Sequence, residues 1–317
     1  MAINRLKSDG TGEYTSIATW EANLPETLTE PETLDCYVGT TVTGGWQADG
    51  RLIERLDITG HTTTATNRIT VRAADANRPT AQPGGGFVLE NPTSGLYSHG
   101  IYSHNNHVTI DGIEAVDLYV SRQAAQVRVD NTGWEIKNCR FSTLATNSIS
   151  HAVYIYQSSN TEPIYNCIFE ATGGRGFHAG SFLYAIMDYC SAFSETNAAF
   201  NSNDANFDIR NVVAYSESGS AFITTQGAGS TNCASSDTTA PGTDTVFNVQ
   251  STDFENYASG DYTPTAAGAL ADQGIDIAGI TTDIAGTTRN DPPEIGAIEI
   301  AAAGPTPPTV DAGGPYS

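Results

Sequence analysis

Lysine is almost missing from this sequence of 317 residues, since only Lys7 and Lys137 are present. Lysine and arginine together number 14 against 36 aspartates and glutamates, so the formal net charge is −22 at pH 7. Phosphate groups are bound mainly through lysine and arginine, and this balance therefore argues against nucleic acid as a partner. The acidity is typical of a surface that keeps a protein soluble through charge repulsion.

Long apolar runs are also missing. No run of roughly 18 apolar residues occurs, so we expect no membrane partner. The first nine residues contain no apolar core of a secretory leader. Two explanations stay open: either the chain is made and assembled inside a cell, or a leader has been removed from it.

The five cysteines provide no paired framework. Cys36 stands apart from the other four, which recur at similar positions of an internal repeat. Metal binding needs several ligands that converge on one point, whereas such a recurrence places the thiols along an axis, about 4.8 Å apart. We therefore predict buried structural thiols rather than a metal site or disulfides. The recurring positions are Cys139, Cys167, Cys190 and Cys233.

What the chain does have is a repeat over residues 98–234, in which one apolar position returns every 22 to 26 residues. Its members are Ile101, Val127, Val153, Phe177, Phe200 and Phe222. Strand alternation places Val153 and Ile155 inside, and Tyr154 and Tyr156 outside. A repeat of this length, rich in β-branched and aromatic residues, predicts stacked coils around one continuous core, that is, a β-solenoid.

A second position follows each apolar one by about a dozen residues and is often asparagine. In the hexads at 136–141 and 164–169 the asparagine interrupts the alternation where the chain must bend. Asparagine tolerates the left-handed conformation that such a bend requires. We therefore predict structural roles for Asn138, Asn166, Asn211 and Asn232.

The rest of the chain divides by composition. Residues 1–40 are interpreted as an N-terminal cap with a short helix at 17–24, and residues 41–300 as the solenoid with its closing segment. Further strands are predicted at 34–38, 52–58, 68–72 and 87–89. Residues 301–308 are a proline-rich linker, and residues 309–317 begin another module.

The repeat, over roughly residues 85–235, resembles the right-handed parallel β-helix of the pectate-lyase-like superfamily, and its Ile-x-Asn-Cys-x-Phe hexads carry that resemblance. Residues 12–21 resemble the N-terminal cap of β-helix proteins encoded by bacteriophages and environmental bacteria. Residues 282–290 and 294–299 are similar to a closing segment of such proteins. Residues 308–317 resemble the first strand of a polycystic-kidney-disease-type (PKD) module. The implied fold is all-β: a right-handed single-stranded parallel β-helix with an N-terminal helical cap.

The resemblance implies ligand binding along the outer face of one strand ladder. By register, one outward row on that face is Tyr102, Arg128, Tyr154, His178, Asn201 and Ile223. Tyr156 belongs to the next row, and His151, Arg175 and His178 could form a polar cluster across adjacent coils. The candidate glycan or partner contacts are therefore Tyr102, Arg128, Tyr154, Tyr156, His151, Arg175 and His178. Exposed tyrosines suit either sugars or a neighbouring protein chain.

No catalytic residue is assigned. A lyase needs cation-binding carboxylates beside a lysine or arginine base, and a glycoside hydrolase needs two carboxylates roughly 5–10 Å apart. Arg128 and Arg175 are candidate bases, but Asp130 is the one carboxylate expected on this face. His99, His104 and His107 do not converge at strand or turn spacing, so neither a metal nor a cofactor is expected. If the protein is an enzyme, it is a polysaccharide lyase.

Two main functional hypotheses follow. The first is a non-enzymatic structural protein of a bacteriophage virion, such as a capsid decoration, head fibre or tail-associated appendage, which binds other virion proteins, copies of itself (a trimer by the resemblance) or a host surface polysaccharide. The second is a secreted, extracellular bacterial protein that binds or cleaves polysaccharides. A surface adhesin is a third alternative. We favour the first, with a virion location.

Overall fold

The structure is a computed structural model that describes residues 2–42, 44–91, 100–117, 125–129, 132–146, 150–155, 163–180 and 185–301. Short strands dominate it, and nearly all of them pair in parallel. In these ranges no helix is long and apolar enough to cross a membrane.

In chain order, the elements of the first half are β1 Ala2–Leu6, α1 Ile17–Glu21, β2 Glu32–Cys36, β3 Leu52–Ile53, β4 Leu56–Ile58, β5 Ile69–Ala73, β6 Val88–Glu90, β7 Ile101–Ser103, β8 Val108–Asp111, β9 Glu114–Asp117, β10 Ala125–Val129, β11 Glu135–Lys137, β12 Arg140–Thr143 and β13 His151–Ile155. The second half contains β14 Ile164–Tyr165, β15 Ile168–Ala171, β16 Arg175–Ala179, β17 Ala185–Asp188, β18 Ser191–Ser194, β19 Phe200–Arg210, β20 Val213–Ser216, β21 Phe222–Gln226, β22 Ala234–Ser235, β23 Phe254–Asn256 and β24 Asp261–Pro264. Short 3-10 helices lie at Asp75–Asn77, Ser251–Asp253 and Tyr257–Ser259.

The strands stack in three parallel ladders, which is the arrangement of a β-solenoid. Ladder 1 consists of β4, β7, β10, β13, β16, the start of β19, and β21. Ladder 2 consists of β1, β2, β5, β8, β11, β14, β17 and the end of β19. Ladder 3 consists of β3, β6, β9, β12, β15, β18, β20 and β22. The predicted all-β parallel solenoid is therefore confirmed.

The apolar repeat lies on ladder 1, and its described side chains are buried on the inner side. Its members pair in register from Ile101 through Val127 to Phe222. Phe177 and Phe200 are fully buried, and their ring centroids stack 4.9 Å apart. Since neighbouring coils repeat the same contact, each coil covers the core of the next.

The asparagine positions form the bend between ladders 2 and 3. Asn138, Asn166, Asn211 and Asn232 have φ values of 54°, 52°, 54° and 47°, so the predicted left-handed conformation is confirmed. Asn166 Nδ2 donates to Asn138 Oδ1 at 3.0 Å, which links two coils. Asn211 Nδ2 instead donates to the Ile275 carbonyl at 2.7 Å. The ladder therefore also anchors the C-terminal segment.

The five cysteines are buried and free, as predicted for structural thiols. Burial raises the pKa of Cys139 and Cys167 well above the ordinary thiol value. Each of these two thiols lies near carbonyl oxygens of its own and the preceding coil, such as Cys139 Sγ 3.6 Å from the Ile110 carbonyl. A thiol held protonated in this way fills space and is a poor nucleophile.

The N-terminal segment contains the predicted helix in a shorter form. The helix covers Ile17–Glu21, and the residues after it, which were predicted to be helical to Leu24, form a turn. Ser16 Oγ accepts the Thr19 amide at 3.3 Å, and the Glu54 carboxylate accepts the Ile17 and Ala18 amides at 2.9 Å. Strands β1 and β2 also lie within residues 1–40, and both pair in ladder 2.

The strand predicted at 52–58 is two strands that belong to different sheets. Leu52–Ile53 lies in ladder 3 and Leu56–Ile58 in ladder 1. The chain turns between them at Glu54, whose carboxylate is held by the start of α1. The buried residues Leu52, Leu56 and Ile58 have the same parity on both sides of this corner, which is why the sequence suggests one continuous strand.

The C-terminal segment covers the outer side of ladder 3. Phe193 points outward there and stacks on Tyr262 with a centroid distance of 3.6 Å. A second core, separate from the inner one, forms between them. Its members are Ile168, Phe193, Val213, Ala234, Val249, Phe254, Tyr262, Leu270, Ile284, Ile295, Ala297 and Ile298.

Candidate functional site

The predicted outward row of ladder 1 is in register. Tyr102 pairs with Arg128, Arg128 with Tyr154, Tyr154 with His178, and His178 with Asn201. Parallel pairing places these residues about 4.8 Å apart along the solenoid. The row is a straight strip on one face rather than a pocket.

Three rings meet in the middle of this strip. His178 stacks on Tyr154 with a centroid distance of 5.1 Å and an interplanar angle of 5°. His151 lies 4.6 Å from His178 and 5.4 Å from Tyr154 by ring centroids. His178 Nδ1 also lies 3.0 Å from Asn201 Oδ1. The cluster expected from His151 and His178 across adjacent coils is therefore present.

His151 belongs to the cluster although strand parity would place it inside. It has the parity of Val153, yet its ring contacts Tyr154 and His178 on the outer side. Its position at the first residue of β13 explains this, because regular alternation begins only within the strand. The residue is 8% exposed, and its Nδ1 is buried without a hydrogen-bond partner.

Both histidines are held neutral. The pKa of His151 is lowered to about 2. Desolvation is the main cause, and the charges of His178 and Arg175 lower the pKa further. Desolvation and Arg175 lower the pKa of His178 to about 4, against a small opposing effect of Asn201. At neutral pH, the imidazoles therefore provide polar and aromatic surface without charge.

Arg175 contributes a cation to this surface, and its backbone pairs with that of His151. Its guanidinium is half-buried, its Nε has no hydrogen-bond partner, and desolvation alone lowers its pKa. A nearby carboxylate would raise that pKa, as Asp35 does for Arg72. The Arg175 charge is therefore not compensated by the described part of the chain.

Tyr102 lies two coils before Tyr154 in the outward row. Tyr102 hydrogen-bonds with His104, and the Arg55 guanidinium lies 4.9 Å from the Tyr102 ring centroid. Tyr156 and Asp130 lie outside the described residues, as does His99. Of Arg128, only the backbone register is described. We define the ladder 1 site as His151, Tyr154, Arg175, His178 and Asn201.

The ladder 1 site offers a flat ring surface, an amide and one uncompensated cation. Aromatic faces and amides are suited to sugar rings and hydroxyls, and a guanidinium is suited to carboxylate or sulfate groups. Within the described residues no three His, Cys, Asp or Glu side chains are placed to hold a metal ion.

A cavity on the opposite side of the coil was not predicted from the sequence. It lies between ladder 3 and the 3-10 helix Tyr257–Ser259, and Glu195 and Glu217 line it. These two glutamates are 22 positions apart, which is the repeat length of those coils, so periodicity could have shown that they stack. No sequence signal indicated that Tyr257 would fold back over them.

The neutrality of His151 is open to a direct test. Because its pKa is depressed from an ordinary value near 6.5, its contribution to stability is fully present above about pH 6.5 and is lost as the pH falls toward its folded pKa. We expect its imidazole resonances in NMR spectra to show no titration between pH 8 and pH 5. A midpoint near pH 6.5 in the folded protein would contradict the burial of this ring.

The register and the ladder 1 site define the class of this protein: a parallel β-solenoid with a candidate binding strip on one outer face. The sequence matches no family model and no curated protein. Among solved structures, the chain is similar to one described as "Crystal structure of pectate lyase Pel9A". The two share 12% sequence identity with a TM-score of 0.46, and the similarity covers 94% of this chain and 96% of that chain.

Proposed function

We propose that this protein is a non-enzymatic structural solenoid whose ladder 1 site binds an acidic glycan. The observation that carries the proposal is the half-buried Arg175 guanidinium beside stacked rings, for which the described residues supply no counter-charge. An isolated cation that is partly removed from water is unfavourable, and an anionic ligand would offset that penalty. The partner is therefore a sugar that carries a carboxylate or sulfate group.

The two neutral histidines support binding of the sugar ring rather than of a second anion. The His178 and Tyr154 rings lie nearly parallel. Together they present ring edges and a ring face to a ligand that lies along the strip. Asn201 and the imidazoles offer hydrogen bonds to hydroxyl groups. Since both histidines stay neutral over a wide range, affinity should be constant between about pH 6 and pH 8.

We further propose that the solenoid is displayed on a bacteriophage virion. Support comes from the resemblance of residues 12–21 to caps of phage-encoded β-helix proteins, and from the PKD-like start at 308–317, which lies outside the described residues. We propose a right-handed coil, because parallel crossover connections are right-handed in about 98% of cases. Helix α1 acts as the cap, since Ile17 and Trp20 are buried in the inner core.

The test compares Arg175→Gln with the unchanged protein by isothermal titration calorimetry against oligogalacturonate, a matched neutral oligoglucan and a sulfated oligosaccharide. We expect an acidic ligand to bind and the neutral one not to bind. Loss of a charged hydrogen bond worth about 1.5–3 kcal/mol should weaken binding roughly 10- to 100-fold in Arg175→Gln.

Arg5→Gln is the matched control, because it removes the same charge from an exposed ion pair with Glu13 on ladder 2. It should bind like the unchanged protein. Equal affinity for the neutral and acidic ligands, or equal losses in the two variants, would refute the assignment to Arg175.

Polysaccharide cleavage is a second candidate, favoured by one observation. Desolvation lowers the Arg175 pKa, so a larger fraction of its side chain is neutral guanidine, the form that can accept a proton, than for an exposed arginine. A lyase would generate unsaturated sugar ends that absorb in the ultraviolet. Steady growth of that absorbance with oligogalacturonate, abolished in Arg175→Gln, would establish the lyase over the non-enzymatic protein.

A further inference from the structure

A small cavity lies at the N-terminal end of the solenoid, between strand β1 and helix α1. Its volume is about 180 Å³, which is below the roughly 300–1,000 Å³ of a typical small-molecule site. Four side chains supply aromatic and apolar surface there: Tyr14, Trp20, Leu24 and Pro25. A cavity of this size and lining suits one or two side chains of a peptide segment.

Trp20 brings a buried hydrogen-bond donor to this lining. Its side chain is 1% exposed, and its Nε1 has no acceptor in the part of the chain that the structure describes. The other two indoles are satisfied, since Trp46 Nε1 donates to the Thr15 carbonyl at 3.0 Å and Trp134 Nε1 to the Asn105 carbonyl at 2.9 Å. Because a buried donor without an acceptor is unfavourable, Trp20 favours a ligand that brings a carbonyl oxygen into the cavity.

The walls around this donor are fixed by backbone contacts. The Tyr14 amide donates to the Arg5 carbonyl at 3.1 Å, and the Tyr14 carbonyl accepts the Lys7 amide at 2.9 Å, so Tyr14 lies along the edge of β1. Asn23, which also lines the cavity, donates through Nδ2 to the Thr19 carbonyl at 2.6 Å. An amide has two N–H groups and a carbonyl oxygen, so Asn23 can bond a peptide backbone as well.

An aromatic surface of this kind suits a proline-rich segment. Such segments adopt the polyproline II conformation without a partner, so they lose little entropy when their rings pack on aromatic side chains. This chain contains such a segment at residues 304–309, Gly-Pro-Thr-Pro-Pro-Thr. The segment carries no charge, so Glu32 at the cavity does not repel it.

The last described residues run toward this end of the solenoid. The Gly296 amide donates to the Asn211 carbonyl at 2.9 Å, and the Ala297 amide donates to Ser191 Oγ at 3.0 Å, one coil nearer the N-terminus. Ser191 follows β17, from which six steps of ladder 2, about 29 Å at roughly 4.8 Å each, lead to β1. Residues 298–308 would span about 34 Å at roughly 3.1 Å per residue, so the segment is long enough to reach the cavity.

We propose that residues 304–309 bind this cavity in the same molecule, with a proline ring against Tyr14 and Leu24 and a backbone carbonyl that accepts the Trp20 Nε1 hydrogen. The contact ties the C-terminal part of the chain to the N-terminal cap. It covers the edge of the first strand of ladder 2, and an uncovered strand edge is a site of unwanted association. This inference is independent of the ladder 1 site.

The test follows the three indole N–H resonances in NMR spectra of the whole protein, with the Trp20 signal assigned by its loss in Trp20→Phe. Replacing the three prolines of residues 304–309 by alanine should shift the Trp20 resonance and speed its exchange with solvent at least tenfold. The Trp46 and Trp134 resonances should not move, because their acceptors lie within the solenoid. A millimolar peptide of residues 303–310 should restore the Trp20 resonance in this variant.

Pro315→Ala is the matched control, because it removes a proline of the same terminal region outside the proposed segment. It should leave all three indole resonances unchanged, and the thermal unfolding midpoint of each variant verifies folding. Any of four results overturns the proposal: an unchanged Trp20 resonance in the triple variant, equal changes at all three indoles, no recovery with the peptide, or a Trp20 resonance that depends on protein concentration. The last result would assign the bound segment to a neighbouring copy.

Discussion

Replacing Phe177 by alanine is expected to lower the free energy of unfolding by about 3–5 kcal/mol. The Phe177 ring is fully buried and contacts three other rings, those of Phe200, Phe169 and Phe207, at centroid distances of 4.9, 5.3 and 5.8 Å. The coils on either side are fixed by the strand ladder, so they cannot close over the cavity that the substitution leaves. Urea unfolding followed by circular dichroism measures the difference.

The neighbouring His178→Ala variant is the control for that prediction. His178 occupies the next position along β16 but lies in the outer row. From the sequence, this variant should hardly change stability; the structure adds a stacked Tyr154 and a contact to Asn201, so we expect a loss of about 1 kcal/mol. A greater loss in His178→Ala than in Phe177→Ala would show that the assigned inner and outer sides are reversed.

The regular part of the fold could be predicted because each coil repeats the same local requirements. Phe177, Phe200 and Phe222 recur since each must fill the same inner position, and Asn138 and Asn166 recur since each must adopt positive φ. Tyr189 has a φ of 48° at the equivalent bend, which residue type alone does not indicate. Tyr189 follows Phe177 by about a dozen residues, so the repeat spacing, rather than residue identity, indicates that bend.

The ladder 1 site could be predicted in part for the same reason. The repeat spacing alone is enough to place Tyr154 next to His178, and the strand register agrees. The state of His151 could not be predicted, because its burial depends on packing at the start of a strand, where alternation fails. Nor does the sequence show that Arg175 has no counter-charge among the described residues, since that depends on the fold of the surrounding coils.

The C-terminal segment does not contain the repeat, so periodicity does not predict its structure. Its contacts with the coils join residues far apart in the sequence, from Asn211 and Ile275, 64 positions apart, to Asn166 and Arg289, 123 positions apart. In the latter, Arg289 Nη2 donates to Asn166 Oδ1 at 2.8 Å. No repeat relates these positions, so only the resemblance of residues 282–290 and 294–299 to a closing segment pointed to their role. The cavity beside Glu195 and Glu217 depends on this same segment, so periodicity could not predict it.

Replacing Arg289 by alanine is expected to be about as destabilising as the core variant, at about 3–5 kcal/mol near pH 8. The Arg289 guanidinium is buried, donates to Glu299 at 3.2 Å, and lies 3.6 Å from the Tyr189 ring centroid. Glu299 and Glu294 are 3% and 2% exposed. Without Arg289, the Glu299 carboxylate would be left buried and without its counter-charge.

The stability lost in Arg289→Ala should also depend on pH. The buried carboxylates determine whether that loss grows or shrinks as the pH falls. Desolvation and Glu299 already raise the pKa of Glu294 to about 8, and removal of Arg289 would take away the cation that pairs with Glu299 in this buried carboxylate pair. A carboxyl whose folded pKa is raised contributes most at low pH and loses that contribution as the pH rises through the folded pKa. The variant should therefore approach the unchanged protein between pH 8 and pH 5.

Unfolding midpoints measured across that range test the pH dependence. Glu299→Gln in the Arg289→Ala background should restore part of the stability at pH 8, because it removes the uncompensated charge and keeps the side-chain volume. Arg5→Ala, at an exposed ion pair, should leave the midpoint unchanged. A loss in Arg289→Ala that is the same at pH 5 and pH 8, with no rescue by Glu299→Gln, would mean that Arg289 stabilises the closing segment through packing on Tyr189 and not through charge.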